Sequence, residues 1–208
     1  MIFEIFPHLV SSLTRVSLGV FLGVCLGIFF AVVRSTLPPG LRRNFLISFV
    51  FEFLRFPPPI AWIPFVILWL GIGSMSTLAI VVIASFPIML MNCFEGIERI
   101  PLTLQRTANS LPLSNFARVK KLYLPSILPH VFLGLRQSLG LGWMSIIAAE
   151  MIGGQEGLGY ATQLSRLNLQ YEEMVLLIFT IGIVGFFFHW FLQVLERKLF
   201  PWSARREE

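Results

Sequence analysis

Long apolar runs dominate this chain, and they are the feature that most limits what it can fold into. A helix that crosses a bilayer needs about 20 mostly apolar residues. Five stretches approach that requirement: 9–33, a broken run comprising 45–54 and 60–70, then 77–94, 128–152 and 174–195. Charged residues make up 13% of the 208-residue chain, whereas soluble domains carry about 25%. A soluble core cannot take up so much apolar surface, but a lipid bilayer can. The reading is an all-α, polytopic membrane protein with about five transmembrane helices, forming a single transmembrane domain over residues 1–208.

The first run lacks a preceding basic stretch and is too long for a cleaved signal sequence, so it reads as a retained helix. It carries Gly19, Gly23 and Gly27 at four-residue spacing. That spacing places three side-chain-free positions on one helix face, where a second helix can approach closely. The second run is interrupted by Arg55 and by Pro57-Pro58-Pro59. Proline removes a backbone donor and breaks the helical ladder. In a membrane such a break is tolerated only where protein or a watery cavity covers it. The prolines therefore mark either a plain kink or part of a translocation pathway.

The net charge is +5, and its distribution argues against nucleic acid. Twelve Lys and Arg residues fall outside the spans on one side, at 34, 42–43, 99–121 and 197–206, against Arg166 alone on the other. This asymmetry is the positive-inside pattern. It predicts an outside N-terminus, a cytoplasmic 95–127 segment and a cytoplasmic C-terminus, as five spans also require.

Other chemistries lack raw material. Cys25 and Cys93 both sit inside apolar runs, without disulfide or metal spacing. His8, His130 and His189 fall near different span ends, and the chain contains no aspartate. A membrane enzyme would need a catalytic cluster at one depth. An ion-coupled secondary transporter would favour internal repeats and embedded coupling residues, and five spans divide poorly into repeats.

Charges within or beside spans cost about 2.5–3.5 kcal/mol each on insertion scales. Glu52 and Arg55, three residues apart, can pair on one helix face. Arg136 and Glu150 lie 14 residues apart on one span, roughly 21 Å along a helix, so they do not pair directly. Arg55, Pro58, Trp62, Arg136, Trp143 and Glu150 are the candidate pathway residues, with packing as the alternative role for both tryptophans. Phe186-Phe187-Phe188 reads as lipid-facing or packed. The segment 153–172, punctuated by glycine pairs, reads either as a docking loop for an external protein or as a re-entrant segment closing the outer gate.

The segment between the third and fourth spans is too long to be structureless. Pro101 suits a helix start and Pro112 a stop. Ser114 suits an N-cap for a second helix ending at Pro125. Two short amphipathic helices are predicted, resting on lipid headgroups or docking a cytoplasmic partner.

Motif spacing favours docking. Arg106-Thr107-Ala108, three residues, Pro112, nine residues, then Leu122-Tyr123-Leu124-Pro125 resembles the cytoplasmic signature of ABC importer permeases. That pattern is Glu-Ala-Ala, three residues, Gly, nine residues, Ile-x-Leu-Pro. Arg106, Thr107, Pro112 and Leu122 depart from it in type, while the spacing is kept. Arg55 through Pro64, Leu68-Trp69-Leu70-Gly71-Ile72-Gly73, Leu133 through Trp143, Ala148-Ala149-Glu150-Met151-Ile152 and Gly157-Leu158-Gly159-Tyr160 are similar to the nitrate/sulfonate/taurine branch of that family. So is the terminal Leu195-Glu196-Arg197 with Pro201-Trp202. Members of the branch often carry one more N-terminal span, and here the resemblance begins at the shared core.

The resemblance implies a type I importer permease fold with two short cytoplasmic coupling helices, located in the bacterial inner membrane. It implies ATPase docking through Arg106, Thr107, Ala108, Asn109, Ser110, Leu111, Pro112, Leu122, Leu124 and Pro125. The implied partners are a second permease copy, two cytoplasmic ATPase subunits, an extracytoplasmic substrate-binding protein and membrane lipid. The implied solute is a small anion such as a sulfonate, taurine, nitrate or bicarbonate. The chain has no Gly-x4-Gly-Lys-Ser/Thr phosphate loop. It is therefore expected to need no cofactor of its own, with ATP and magnesium bound by the partner ATPase.

Overall fold

The computed structural model describes residues 2–37, 56–101 and 124–199, together with the isolated positions 49, 53, 103, 110 and 117. Helix α1 spans Ile2–Thr36. A 3-10 turn, Pro59–Trp62, leads into the short helix α2, Ile63–Leu70. Then follow α3 (Ser74–Glu98), α4 (Leu124–Gly153), α5 (Leu158–Leu167) and α6 (Tyr171–Leu199).

Four of these helices, α1, α3, α4 and α6, are long and apolar enough to cross a membrane. They match four of the expected spans. The fifth expectation, the broken run, appears among the described residues as the short apolar segment Pro59–Leu70. Pro58 precedes its first turn with an extended backbone, ψ 138°. Chain continuity as a helix fails there because Pro57, Pro58 and Pro59 supply no amide donors.

The glycine stripe of α1 meets α3. A Cβ added at Gly19 would lie 2.7 Å from the Val81 side chain. At Gly23 it would lie 2.3 Å from Ser85 Oγ, and at Gly27 2.7 Å from Met89 Cβ. Residue numbers rise together along this seam, so α1 and α3 run parallel. Helix α4 is antiparallel to both. Gly96 packs against His130, Gly134 against Met89 and Asn92, and Gly142 against Val20 and Val81. Ser138 donates to the Ser85 carbonyl at 3.1 Å, in the middle of the α3–α4 contact. Small residues let backbones approach where lipid supplies no hydrophobic drive between helices.

The main core is Val16, Val20, Val81, Trp143, Ile146, Leu158 and Leu177, drawn from five helices. Helix α6 is the most exposed span, with Phe179 68%, Phe186 64% and Phe187 57% accessible. Those rings are exposed on the outside of the bundle, while Phe188 packs edge-on against Trp143 at 5.4 Å.

Candidate functional site

Two polar features interrupt the apolar bundle. The first is a cleft of about 540 Å³ walled by the proline break, α3 and α4. Pro57 and Pro59 face Ile83, Ala84 and Pro87 across it, near the midpoint of α3. Pro87 lies inside α3 and has no amide to offer the Ile83 carbonyl, so the ladder is interrupted on both walls at one level. Asn92, Glu95 and Gln137 supply the polar lining. Asn92 Nδ2 donates to the Ile88 carbonyl at 2.8 Å and to Gln137 Oε1 at 3.0 Å. Glu95 pairs with Arg99 one turn on, at 3.4 Å.

The second feature is a buried polar clamp where the N-terminal parts of α1 and α3 meet the C-terminal end of α4. Arg15 of α1 donates through Nη1 to Glu150 Oε1 at 3.2 Å and to the Glu156 carbonyl at 2.9 Å. Its Nη2 donates to Ser74 Oγ at 2.9 Å and pairs with the Glu156 carboxylate. Ser12 Oγ lies 2.9 and 2.8 Å from the two Glu150 carboxylate oxygens and accepts from the Leu158 amide at 2.9 Å. The Gly159 amide donates to Glu150 Oε2 at 3.0 Å. His8 Nδ1 accepts from the Gly157 amide at 3.1 Å.

Helix α5 therefore begins with its free amides answered by α1 and by the Glu150 carboxylate, which also sits favourably at the positive end of the helix dipole. Glycine is required at 157 twice over. Its φ is +113°, and a Cβ there would fall 2.2 Å from the Glu150 carboxyl. Glu150 and Arg15 are 1% and 6% exposed; the Glu150 carboxylate depends on Arg15 for charge compensation, whereas Arg15 also has the Glu156 carboxylate.

The sequence-derived pathway candidates do not converge on one cavity. Arg55 lies outside the described residues. Pro58 is exposed beside the cleft, and Trp62 packs on Phe65 with ring centres 6.0 Å apart. Arg136 and Trp143 line a separate apolar groove between α4 and α6. There Arg136 pairs with Glu196 at 3.1 Å, and Trp143 Nε1 donates to the Ile181 carbonyl at 3.2 Å. Glu150 is enclosed in the clamp, its carboxylate held by Ser12, Arg15 and the Gly159 amide, and it lines neither the cleft nor the α4–α6 groove. Arg136 and Glu150 make no ion pair with each other, in keeping with their 14-residue separation.

Arg15 was not singled out from the sequence. Its position within an apolar run was the available signal, since a charge there needs a partner. The segment 153–172 is mostly helical: α5 carries it, with Leu158, Gly159, Thr162 and Ser165 buried. Of the docking candidates, Arg106, Thr107, Ala108, Asn109, Leu111, Pro112 and Leu122 lie outside the described residues. Ser110 is helical and exposed, and Leu124 and Pro125 open α4 with exposed side chains. Among the described residues no cluster of His, Cys, Asp or Glu has metal-binding geometry.

A helical, multi-pass membrane protein with a solute-sized cleft beside a broken helix belongs to the class of membrane transport proteins. Comparison with known proteins defines the family. Residues 23–201 match the family described as binding-protein-dependent transport system inner membrane component, and the chain belongs to it. It is a multi-pass permease subunit of the ABC importer type, located in the inner membrane.

Its sequence is 32% identical over 200 residues to the taurine transport system permease protein TauC of Escherichia coli, covering 96% of this chain and 72% of that protein. It is 31% identical over 204 residues to the putative aliphatic sulfonates transport permease protein SsuC of Bacillus subtilis, covering 98% and 73%. To the bicarbonate transport system permease protein CmpB of Synechococcus elongatus it is 30% identical over 196 residues, covering 93% and 69%. The fold is shared with solved transporters. A chain of the MetNI methionine ABC transporter in an inward-facing conformation aligns with TM-score 0.74 at 19% identity, covering 90% of this chain and 92% of that one. An amino acid ABC transporter chain aligns with TM-score 0.76 at 16% identity, covering 93% of both.

Proposed function

We propose that this chain forms one half of the membrane channel of a binding-protein-dependent importer for small oxyanions, sulfonates first among them. The observation that carries this reading is continuous similarity over 96% of the chain to a taurine permease, alongside relatives named for aliphatic sulfonates and bicarbonate. Those solutes share a compact, oxygen-rich anionic head.

In this reading two copies face each other across a two-fold axis, and two cytoplasmic ATPases bind ATP and magnesium. An extracytoplasmic binding protein delivers the solute. The N-terminus lies outside and the C-terminus in the cytoplasm, in accord with the charge asymmetry. Segment 95–127 joins α3 to α4, the two long helices that wall the cleft. A displacement applied to that segment by the ATPase therefore reaches both walls directly. At the far end the Arg15–Glu150 clamp ties α1, α3, α4 and α5 together and serves as the fixed end of the movement.

Co-expression with the ATPase encoded beside it, followed by native mass spectrometry, tests the assembly. Two copies of this chain with two ATPases are expected, and a stable particle lacking any ATPase refutes the reading. Ala108→Arg in the docking segment is expected to leave the complex's ATP hydrolysis running while solute uptake stops. Normal coupled uptake by that variant removes the docking assignment.

A further inference from the structure

The geometry points to a solute-binding station inside the cleft, where the Asn92–Gln137 amide pair offers free N–H groups to the oxygens of a small oxyanion in transit. The inference deepens the importer reading and rests on it.

The orientation of both amides follows from a chain of hydrogen bonds. Asn92 faces the Ile88 carbonyl at 2.8 Å. A carbonyl only accepts, so the nitrogen end of Asn92 must point there. Its second hydrogen then meets Gln137 at 3.0 Å, which requires Gln137 to present its carbonyl end. Both Asn92 hydrogens are thereby committed. Gln137 Nε2 is left with two N–H groups and Asn92 Oδ1 with an acceptor, and neither atom makes another hydrogen bond among the described residues. The pair therefore offers the cleft two free N–H groups on Gln137 beside the Asn92 carbonyl oxygen, without a formal charge.

The surroundings suit that role. Pro57, Pro59, Pro87, Leu133 and Leu141 make the nearby wall apolar, and donors strengthen in such a setting. Among the described lining residues the only ionisable side chain is Glu95, whose charge is answered by Arg99. A transport path must admit its solute and then release it. Neutral donors recognise an anion without the trap that a buried, desolvated cation would set.

The test uses the full chain in lipid nanodiscs, with Cys25→Ser and Cys93→Ala removing the native thiols. Leu141→Cys, one turn from Gln137 on the cleft wall, is the reporter. Its labelling rates are measured with 2-sulfonatoethyl methanethiosulfonate, itself a small sulfonate, and with the cationic trimethylammonium-ethyl analogue. Each rate is normalised to that of a free thiol, and Phe187→Cys on α6 gives the background at a lipid-facing position.

The anionic reagent is expected to label about tenfold faster than the cationic one, the order of effect of one hydrogen bond to a charged group. Adding Gln137→Leu should remove that advantage and leave the cationic rate unchanged. Gln137→Glu should invert the preference, because a carboxylate at that cleft position repels the anionic reagent. Labelling at background by both reagents, equal normalised rates, or a parallel loss of both rates in Gln137→Leu overturns the station. Because labelling requires no ATPase, these outcomes are independent of the co-purification result, which alone bears on the importer assembly.

Discussion

Removing one member of the Arg15–Glu150 pair should have unequal consequences depending on which member is removed. The two side chains are 7% and 0% exposed and 3.2 Å apart. In Arg15→Met the Glu150 carboxylate keeps only the Ser12 hydroxyl and the Gly159 amide, and its buried charge is uncompensated. Such a loss costs about 3–5 kcal/mol. In Glu150→Gln, Arg15 retains Glu156, Ser74 and the Glu156 carbonyl, so the cost should be only about 1–2 kcal/mol. The double variant should lie close to Glu150→Gln, because neither buried charge is then stranded.

Cys93 is buried and provides an internal sensor. In a Cys25→Ser background, a thiol-reactive fluorophore reports its exposure on heating. At about 2–4 °C per kcal/mol for a chain of this size, Arg15→Met should lower the midpoint by roughly 6–20 °C. Glu150→Gln should lower it by less than half as much. Equal shifts for the two single variants, adding in the double variant, would refute the argument that Glu150 relies on Arg15 while Arg15 keeps Glu156.

Other outcomes follow from the same geometry. Gly23→Leu should disrupt the α1–α3 seam, because even a Cβ meets Ser85 Oγ at 2.3 Å; Gly182→Ala, with nothing within 4 Å, should leave the same thermal midpoint within error. Gly157→Ala should detach the start of α5 by combining a strained φ of +113° with a clash against Glu150, read as new protease cleavage near residue 157. Arg136→Gln breaks an ion pair whose side chains are 31% and 28% exposed, so it should cost less than about 1 kcal/mol and shift the midpoint little.

Much of this protein was legible in one dimension because a bilayer imposes one-dimensional rules. Every backbone polar group in hydrocarbon must be satisfied within its own segment. Span length and apolar content therefore sufficed to place the long helices, and Pro57-Pro58-Pro59 was enough to mark the break. The stripe Gly19, Gly23, Gly27 announced a close helix contact, since four-residue spacing is a local property of a helix face. The partner of that stripe was not local. Only the tertiary structure assigned it to Val81, Ser85 and Met89.

The polar sites obey the same division. Arg15 and Glu150 are 135 residues apart in the chain, and no periodicity links them. Packing of α1 against α4 joins them and closes the clamp over the start of α5. Asn92 and Gln137 lie on different helices, 45 residues apart, and neither bears a charge that would draw notice in an apolar run. Their juxtaposition is decided by the antiparallel register of α3 and α4, which glycines and serines set through close contact. What the sequence determined by itself was which segments enter the membrane; which side chains meet inside it was decided by helix packing alone, because pairing energies depend on distance in space and not along the chain.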